Sequence, residues 1–224
     1  MSQARLIPVR TPKTPEGVVL VLHGGAARRD RSMVSPTQLS VLRMIPIAKR
    51  VAKAGQGRLA VHRLLNTSRG WDASHTPVDD VRWAIEQVRA EHGELPVSLV
   101  GHSLGGRAAL LSARRPEVRS VVALNPWVYP AEDVGDVSGT EVLFVHGTGD
   151  RIADPRRAQA LAQAMRRRTR VGFVAVQDGK HAMLRRSGVF TSLAADFARD
   201  TLLGRESSGV LGQARGQGDA ATVV

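Results

Sequence analysis

Ten residues in the middle of the chain, Val97-Ser98-Leu99-Val100-Gly101-His102-Ser103-Leu104-Gly105-Gly106, constrain the fold more than any other stretch. They read as a short apolar strand, a tight turn and the opening of a helix, with one serine at the apex. A serine at such an apex needs small residues two places before and two places after it, because the bent backbone brings strand and helix together. Gly101 and Gly105 supply that room. The pattern G-x-S-x-G alone is weak; its context gives it weight. Mostly apolar residues precede it, and Arg107-Ala108-Ala109-Leu110-Leu111-Ser112-Ala113-Arg114 continues it as a helix-forming run.

The rest of the chain alternates strands and helices. Val18-Val19-Leu20-Val21-Leu22 is a continuous aliphatic run of the kind covered on both faces, ending in His23-Gly24-Gly25. Strands are also expected at Leu59 to Leu65, Val118 to Leu124, Glu141 to His146 and Val171 to Val176. Arg5 to Val9 is a short edge strand, because Pro8 cannot sit centrally. Ser35-Pro36-Thr37-Gln38 has the order of a helix capping box, and Pro46 breaks or kinks that helix, leaving a second helical piece from about Pro46 to Ala54. Thr76-Pro77 opens the clearest amphipathic helix, with Val78, Val81, Ile85 and Val88 as its apolar stripe. Asp154-Pro155 caps a helix on which Ala158, Leu161 and Met165 share a face, and Ser187 to Leu203 forms the last helix. This alternation predicts an α/β fold with a mostly parallel sheet and helices on both faces. A single domain spans residues 1–203; from Gly204 the composition turns to Gly, Ser, Gln and Ala, so residues 204–224 are expected to form a mobile tail.

Composition excludes some chemistry. Cysteine is absent, which removes disulfides and thiolate catalysis and fits a reducing compartment. The amino terminus lacks the apolar core of a signal peptide and no run of about 18 apolar residues occurs, so a cytoplasmic protein without a membrane span is expected. Neither a phosphate loop of the G-x-x-x-x-G-K type nor a metal-ligand spacing among the seven histidines stands out, so no cofactor and no metal are expected. The formal charge is +12, with 28 arginines against four lysines. A basic surface could serve nucleic acid, anionic lipid or a phosphate-bearing substrate. The arginines are spread over many segments and no nucleic-acid motif accompanies them, so they read as solvated surface of a GC-rich coding sequence, and no nucleic-acid partner is expected.

A serine hydroxyl needs a base within hydrogen-bond reach, and the base needs an orienting carboxylate. Asp150 comes after a strand in His146-Gly147-Thr148-Gly149-Asp150, and His181 comes after the last strand in Asp178-Gly179-Lys180-His181. In a parallel sheet these loops emerge at the same end, so Ser103, Asp150 and His181 can meet. Asp154 reads better as a helix cap, and Asp133 and Asp136 are weaker rivals of Asp150. The backbone amides of Leu104 and Gly25 are the natural oxyanion donors. Trp71 and Trp127 fall in loops on the same side and are candidates to line an acyl or alcohol pocket, with ordinary packing as the alternative.

H-G-G after one strand, G-H-S-L-G-G, a strand ending H-G-T-G-D and G-K-H after the last strand together resemble the α/β-hydrolases, notably the small ones without a large lid, such as esterases, thioesterases and dienelactone hydrolases. The similarity covers roughly Val18 to Leu203. It implies Ser103 as nucleophile, His181 as general base and acid, and Asp150 as the residue that fixes the histidine tautomer. The usual first strands are reduced to Leu6 to Val9, and Trp127 to Thr140 is too short to build a cap, which implies an open site. The expected function is hydrolysis of a carboxylic ester or thioester of a small molecule through an acyl-enzyme. Acyl transfer, cofactor-free perhydrolase or lyase chemistry on the same fold, or a binding protein without turnover are the alternatives.

Overall fold

The computed structural model describes residues 4–25, 34–70, 75–216 and 221–224. Aliphatic, β-branched runs form the middle of one eight-stranded sheet: β2 (Gly17–Leu22), β3 (Leu59–Leu65), β4 (Val97–His102), β5 (Val118–Leu124), β6 (Glu141–Gly147) and β7 (Val171–Val176). Their pairing is parallel throughout. β1 (Arg5–Arg10) lies antiparallel on β3 at one edge, where the missing N–H of Pro8 is tolerated. The spatial order is β1-β3-β2-β4-β5-β6-β7-β8, with β8 spanning Thr222–Val223.

Alternation along each strand divides the core. Val18, Leu20 and Leu22 of β2 point to the layer of α3 (Thr76–His92), α4 (Leu104–Leu111) and α5 (Pro155–Met165). Val19 and Val21 point to the layer of α2 (Met44–Ala54) and α6 (Ser187–Leu202). Phe144 and Phe173 stack on the first face with centroids 6.0 Å apart. Leu20, Leu99 and Phe144 are fully buried, and each such side chain contributes about 1.5–3 kcal/mol relative to exposure. That burial, rather than helix propensity, fixes the three layers.

Local signals explain most boundaries. Pro77 sits in the first turn of α3, and Val81, Ile85 and Val88 are buried along it. Val78 is only half-buried; the buried positions beside it are Pro77 and Asp80, whose carboxylate accepts from the Thr67 amide at 2.8 Å and hydroxyl at 2.7 Å. Asp154 caps α5 by accepting from the Arg156 amide at 2.9 Å. The expected capping box at Ser35 is corrected: Ser35 Oγ accepts from the Thr37 amide at 3.3 Å in a turn, and α1 (Leu39–Leu42) starts later. Pro46 does not open α2 either. It occupies the first turn of a helix that begins at Met44, where its missing N–H leaves no bond unmade, and the break falls at Arg43.

The segment beyond Gly204, read from composition as a mobile tail, also differs. Residues Gly209–Gly216 form α7, which buries Leu211 and Ala214 against the α2/α6 face. Thr222–Val223 forms β8 on the outer edge of β7, and Gln177 donates its amide to the Val224 carbonyl at 2.7 Å. The open edge of β7 supplies backbone partners that composition cannot reveal. Among the described residues no helix is long and apolar enough to cross a membrane.

β3 and β4 flank β2 on opposite sides, so the direction of chain winding reverses there. Loops after strands on either side of such a switch diverge and leave a crevice at the carboxyl ends. His23 comes directly after β2 and Ser103 directly after β4 at this point.

Candidate active site

The turn after β4 is built by exclusion of side chains. A Cβ on Gly101 would stand 2.2 Å from the Gly105 carbonyl oxygen, and one on Gly105 would stand 2.4 Å from that of His23. Both lie far inside contact distance against backbone, so neither position admits a larger residue without moving β2, β4 or α4. Ser103 itself adopts φ 56° and ψ −120°, a region that costs a non-glycine residue of order 1–3 kcal/mol. The strain is held by the Ser103 amide donating to Leu124 O at 3.0 Å and by the Trp127 amide donating to Ser103 O at 3.1 Å. The serine is thereby set at the apex of the turn, 6 % exposed.

The structure brings Ser103, His181 and Asp150 together across 78 and 31 residues of sequence separation. His181 Nε2 lies 3.0 Å from Ser103 Oγ, and His181 Nδ1 lies 2.8 Å from Asp150 Oδ2. A carboxylate can only accept, so Nδ1 carries the ring proton and Nε2 is left to accept from the serine hydroxyl. Asp150 is buried, and its other oxygen accepts from the Ile152 amide at 2.8 Å and the Ala153 amide at 3.0 Å. Burial alone would raise its pKa; hydrogen bonds from His146, His181 and the Ile152 amide outweigh it and hold the carboxyl well below the usual carboxylate range. The rivals are accounted for elsewhere: Asp154 caps α5, while Asp133 and Asp136 accept from the nearby Gly135 and Ser138 amides.

Three further residues fix this line, and spacing alone does not single them out. Asn125, at φ 42°, donates through Nδ2 to the carbonyls of Lys180 at 3.1 Å and His181 at 3.2 Å, and its Oδ1 accepts from the Gly147 amide at 2.8 Å. His102, the variable position of the elbow, donates from Nε2 to the same His181 carbonyl at 2.8 Å. The backbone of His181 is therefore clamped from β4 and β5 at once. His146, fully buried, stands with Nε2 at 3.1 Å from Ala153 O and 3.4 Å from Asp150 Oδ2. The detectable signal is position, since all three end strands that run to the site; their partners depend on three-dimensional neighbours. His23 behaves as expected of a satisfied strand-end histidine, donating to Gly24 O at 2.6 Å and accepting from the Asn66 amide at 3.1 Å.

Leu104 provides the first amide of α4, one of the donors that a helix leaves without an intrahelical partner. Gly25 lies beside it: a Cβ there would stand 3.5 Å from Leu104 Cδ1 and 2.1 Å from the Arg69 carbonyl oxygen. Trp127 is half-buried next to Ser103, with its indole N–H buried and without a partner among the described residues. Trp71 lies outside the described residues. The loop that Trp127 begins contains no helix and so builds no cap. It is anchored to α4 by Arg107, whose Nε and Nη2 each reach Glu132 at 2.8 Å in a bidentate pair with both side chains 8 % exposed.

Burial and the neighbouring His181 push His102 down to about 3 from its ordinary 6.5. Burial also lowers His23 and His62. A base with a lower pKa folded than unfolded takes its proton preferentially in the unfolded chain. The stability it contributes is complete above about 6.5 and is lost as pH falls toward the folded value. Asp150, an acid with a depressed folded pKa, adds stability above its unfolded value of about 3.9 that is lost as pH falls below it. Thermal melts should therefore show the melting temperature falling continuously from about pH 6.5 to pH 4, with a shallower fall for His102→Asn. A melting temperature constant over that range would contradict a neutral, buried His102.

The family model described as serine aminopeptidase, S33, matches residues 13–141, more than half of the 224 residues. No curated protein matches the sequence. Several solved structures share the fold. An α/β serine hydrolase without lid from Xanthomonas campestris is 16% identical, with 93% of this chain and 98% of that chain covered and a TM-score of 0.64. Est1E from Butyrivibrio proteoclasticus is 14% identical, with 89% and 94% covered and a TM-score of 0.64. A putative α/β hydrolase from Agrobacterium tumefaciens is 16% identical, with 90% and 91% covered and a TM-score of 0.65. Identity this low speaks for the fold, while the family model speaks for descent. The chain belongs to the serine aminopeptidase S33 family and has the α/β-hydrolase fold in its lid-less form.

Proposed function

We propose that this chain hydrolyses carboxylic esters or thioesters through an acyl-enzyme, with Ser103 as nucleophile, His181 as general base and acid, and Asp150 as the orienting carboxylate. The observation that carries this reading is the hydrogen-bond line Ser103 Oγ to His181 Nε2 to Asp150, at 3.0 Å and 2.8 Å. Ser103 gives its proton to His181 Nε2 as Oγ attacks the carbonyl carbon. The oxyanion is held by the amides of Leu104 and Gly25. His181 then returns the proton to the leaving alcohol or thiol, and the same nitrogen activates the water that releases the acid.

Peptide substrates with a free amino terminus fit less well. They call for a carboxylate to hold the ammonium group, and the two carboxylates tied to the elbow among the described residues are engaged, Asp150 with His181 and Glu132 with Arg107. Est1E has been solved with ferulic acid bound. An arylalkenyl ester therefore belongs in the test beside short p-nitrophenyl esters and acyl thioesters, with Trp127 as the side chain best placed to meet an aromatic acyl group. The panel, scored as kcat/KM, is expected to give at least one ester or thioester in the enzymatic range of about 10^4–10^8 M⁻¹ s⁻¹. Cleavage of every member at the uncatalysed rate would overturn the reading, and acyl products on added alcohols in place of free acid would replace hydrolysis by transfer.

A further inference from the structure

Away from Ser103, β3 and the last turn of α3 bring together His62, Glu91 and His92. His62 is 3% exposed, yet among the described residues its Nε2 has no hydrogen-bond partner. His92 Nε2 is likewise buried without a partner, 3.5 Å from Glu91 Oε1. The rings are tilted at 45° with centroids 5.9 Å apart, and one donor atom from each of the three side chains lies within 4.8 Å of the others. Two buried ring nitrogens beside a carboxylate, neither hydrogen-bonded among the described residues, are a cost that a ligand would relieve. Burial favours the neutral form of His62, the form that ligates metal.

We propose that His62, Glu91 and His92 bind a late first-row divalent cation of the zinc type, with water as fourth ligand, clipping the end of α3 to β3. Two imidazoles and one carboxylate suit Zn²⁺ and its neighbours, whereas Mg²⁺ and Ca²⁺ favour all-oxygen sets. Bonds of 2.0–2.1 Å place tetrahedral donors ~3.3 Å apart, so no donor pair, all lying within 4.8 Å, need close by more than about 1.5 Å. Glu91 is exposed and His92 lies in the terminal turn, so these two side chains can move onto a fixed His62. The role is structural: α3 runs antiparallel to β3, and its carboxyl end lies away from the strand ends that carry Ser103. Twenty-nine and thirty residues separate the strand ligand from the helix ligands, so no metal-ligand spacing shows in the sequence.

The test uses the untagged chain, stripped with chelator and titrated with Zn²⁺ against a chromophoric competitor, and separately with Co²⁺ monitored by its visible absorption. One equivalent should bind, Zn²⁺ should raise the melting temperature, and Co²⁺ should give a four-coordinate spectrum. His92→Ala should weaken Zn²⁺ binding by more than about 100-fold, above the roughly 10–100-fold typical of losing an outer-shell partner. Glu91→Gln, an exposed change that leaves the fold intact, should weaken it too and remove the thermal shift. Absence of binding to the parent chain, or Zn²⁺ binding unchanged in both variants, would overturn the site; the latter would assign the metal to the histidines around Ser103.

Discussion

Replacing Ser103 by alanine is expected to lower kcat on the best ester by about 10^6-fold while the protein stays folded. In the proposed mechanism Oγ performs the attack, and in the fold it makes one hydrogen bond, to His181 Nε2 at 3.0 Å, so the loss to stability is about 1 kcal/mol. The turn itself does not depend on the hydroxyl. Its shape is set by Gly101 and Gly105, which admit backbone where a Cβ would collide, and by the amides of Ser103 and Trp127. The residual rate should remain above that of water alone, because the amides proposed to hold the oxyanion and the substrate contacts persist without Oγ. Steady-state kinetics alongside a thermal melt separates the two effects. A Ser103→Ala protein with parental esterase activity would remove Ser103 from the mechanism.

Asp150→Asn should cost about 10^4-fold in kcat. The amide oxygen can keep the bonds from Ile152 and Ala153, which sit on Oδ1, so the loop remains formed. The new NH₂ group then replaces Oδ2 and faces His181 Nδ1 and His146 Nε2. Donor meets donor at His181, and the ring relieves the clash by moving its proton to Nε2. In that tautomer it cannot accept from Ser103. The same substitution leaves His146 without its second acceptor, so a lower melting temperature is expected as well. A variant within tenfold of the parent in kcat would show that the carboxylate does not set the tautomer.

The features legible in the sequence are those governed by short-range pattern. Strands β4, β5 and β7 coincide with aliphatic runs bounded by turn residues, because buried parallel strands need apolar side chains on both faces. Ser103, Asp150 and His181 are legible because each comes after a strand, and a parallel sheet gathers those ends. What stays hidden depends on neighbours far apart in the chain. Asn125 matters because β5 lies between β4 and β6, which lets one amide bond both Gly147 and the His181 backbone. His102 looks like the free letter of the elbow until its ring meets the carbonyl of His181. Arg107 reads as one more basic residue in a basic chain, yet it is buried against Glu132 and holds the loop that starts at Trp127. The end of the chain misleads for a related reason: glycine-rich composition argues against autonomous structure, but α7 and β8 lean on a face and an edge that the domain already offers.

The central claim, that Ser103 is an activated nucleophile, is tested most directly by treating the folded protein with a fluorophosphonate and locating the adduct by tandem mass spectrometry. Activation by His181 predicts a single adduct on the peptide that contains Ser103, absent from Ser103→Ala and formed far more slowly in Asp150→Asn. No adduct on the folded chain, or an adduct elsewhere that persists unchanged in Ser103→Ala, would contradict it.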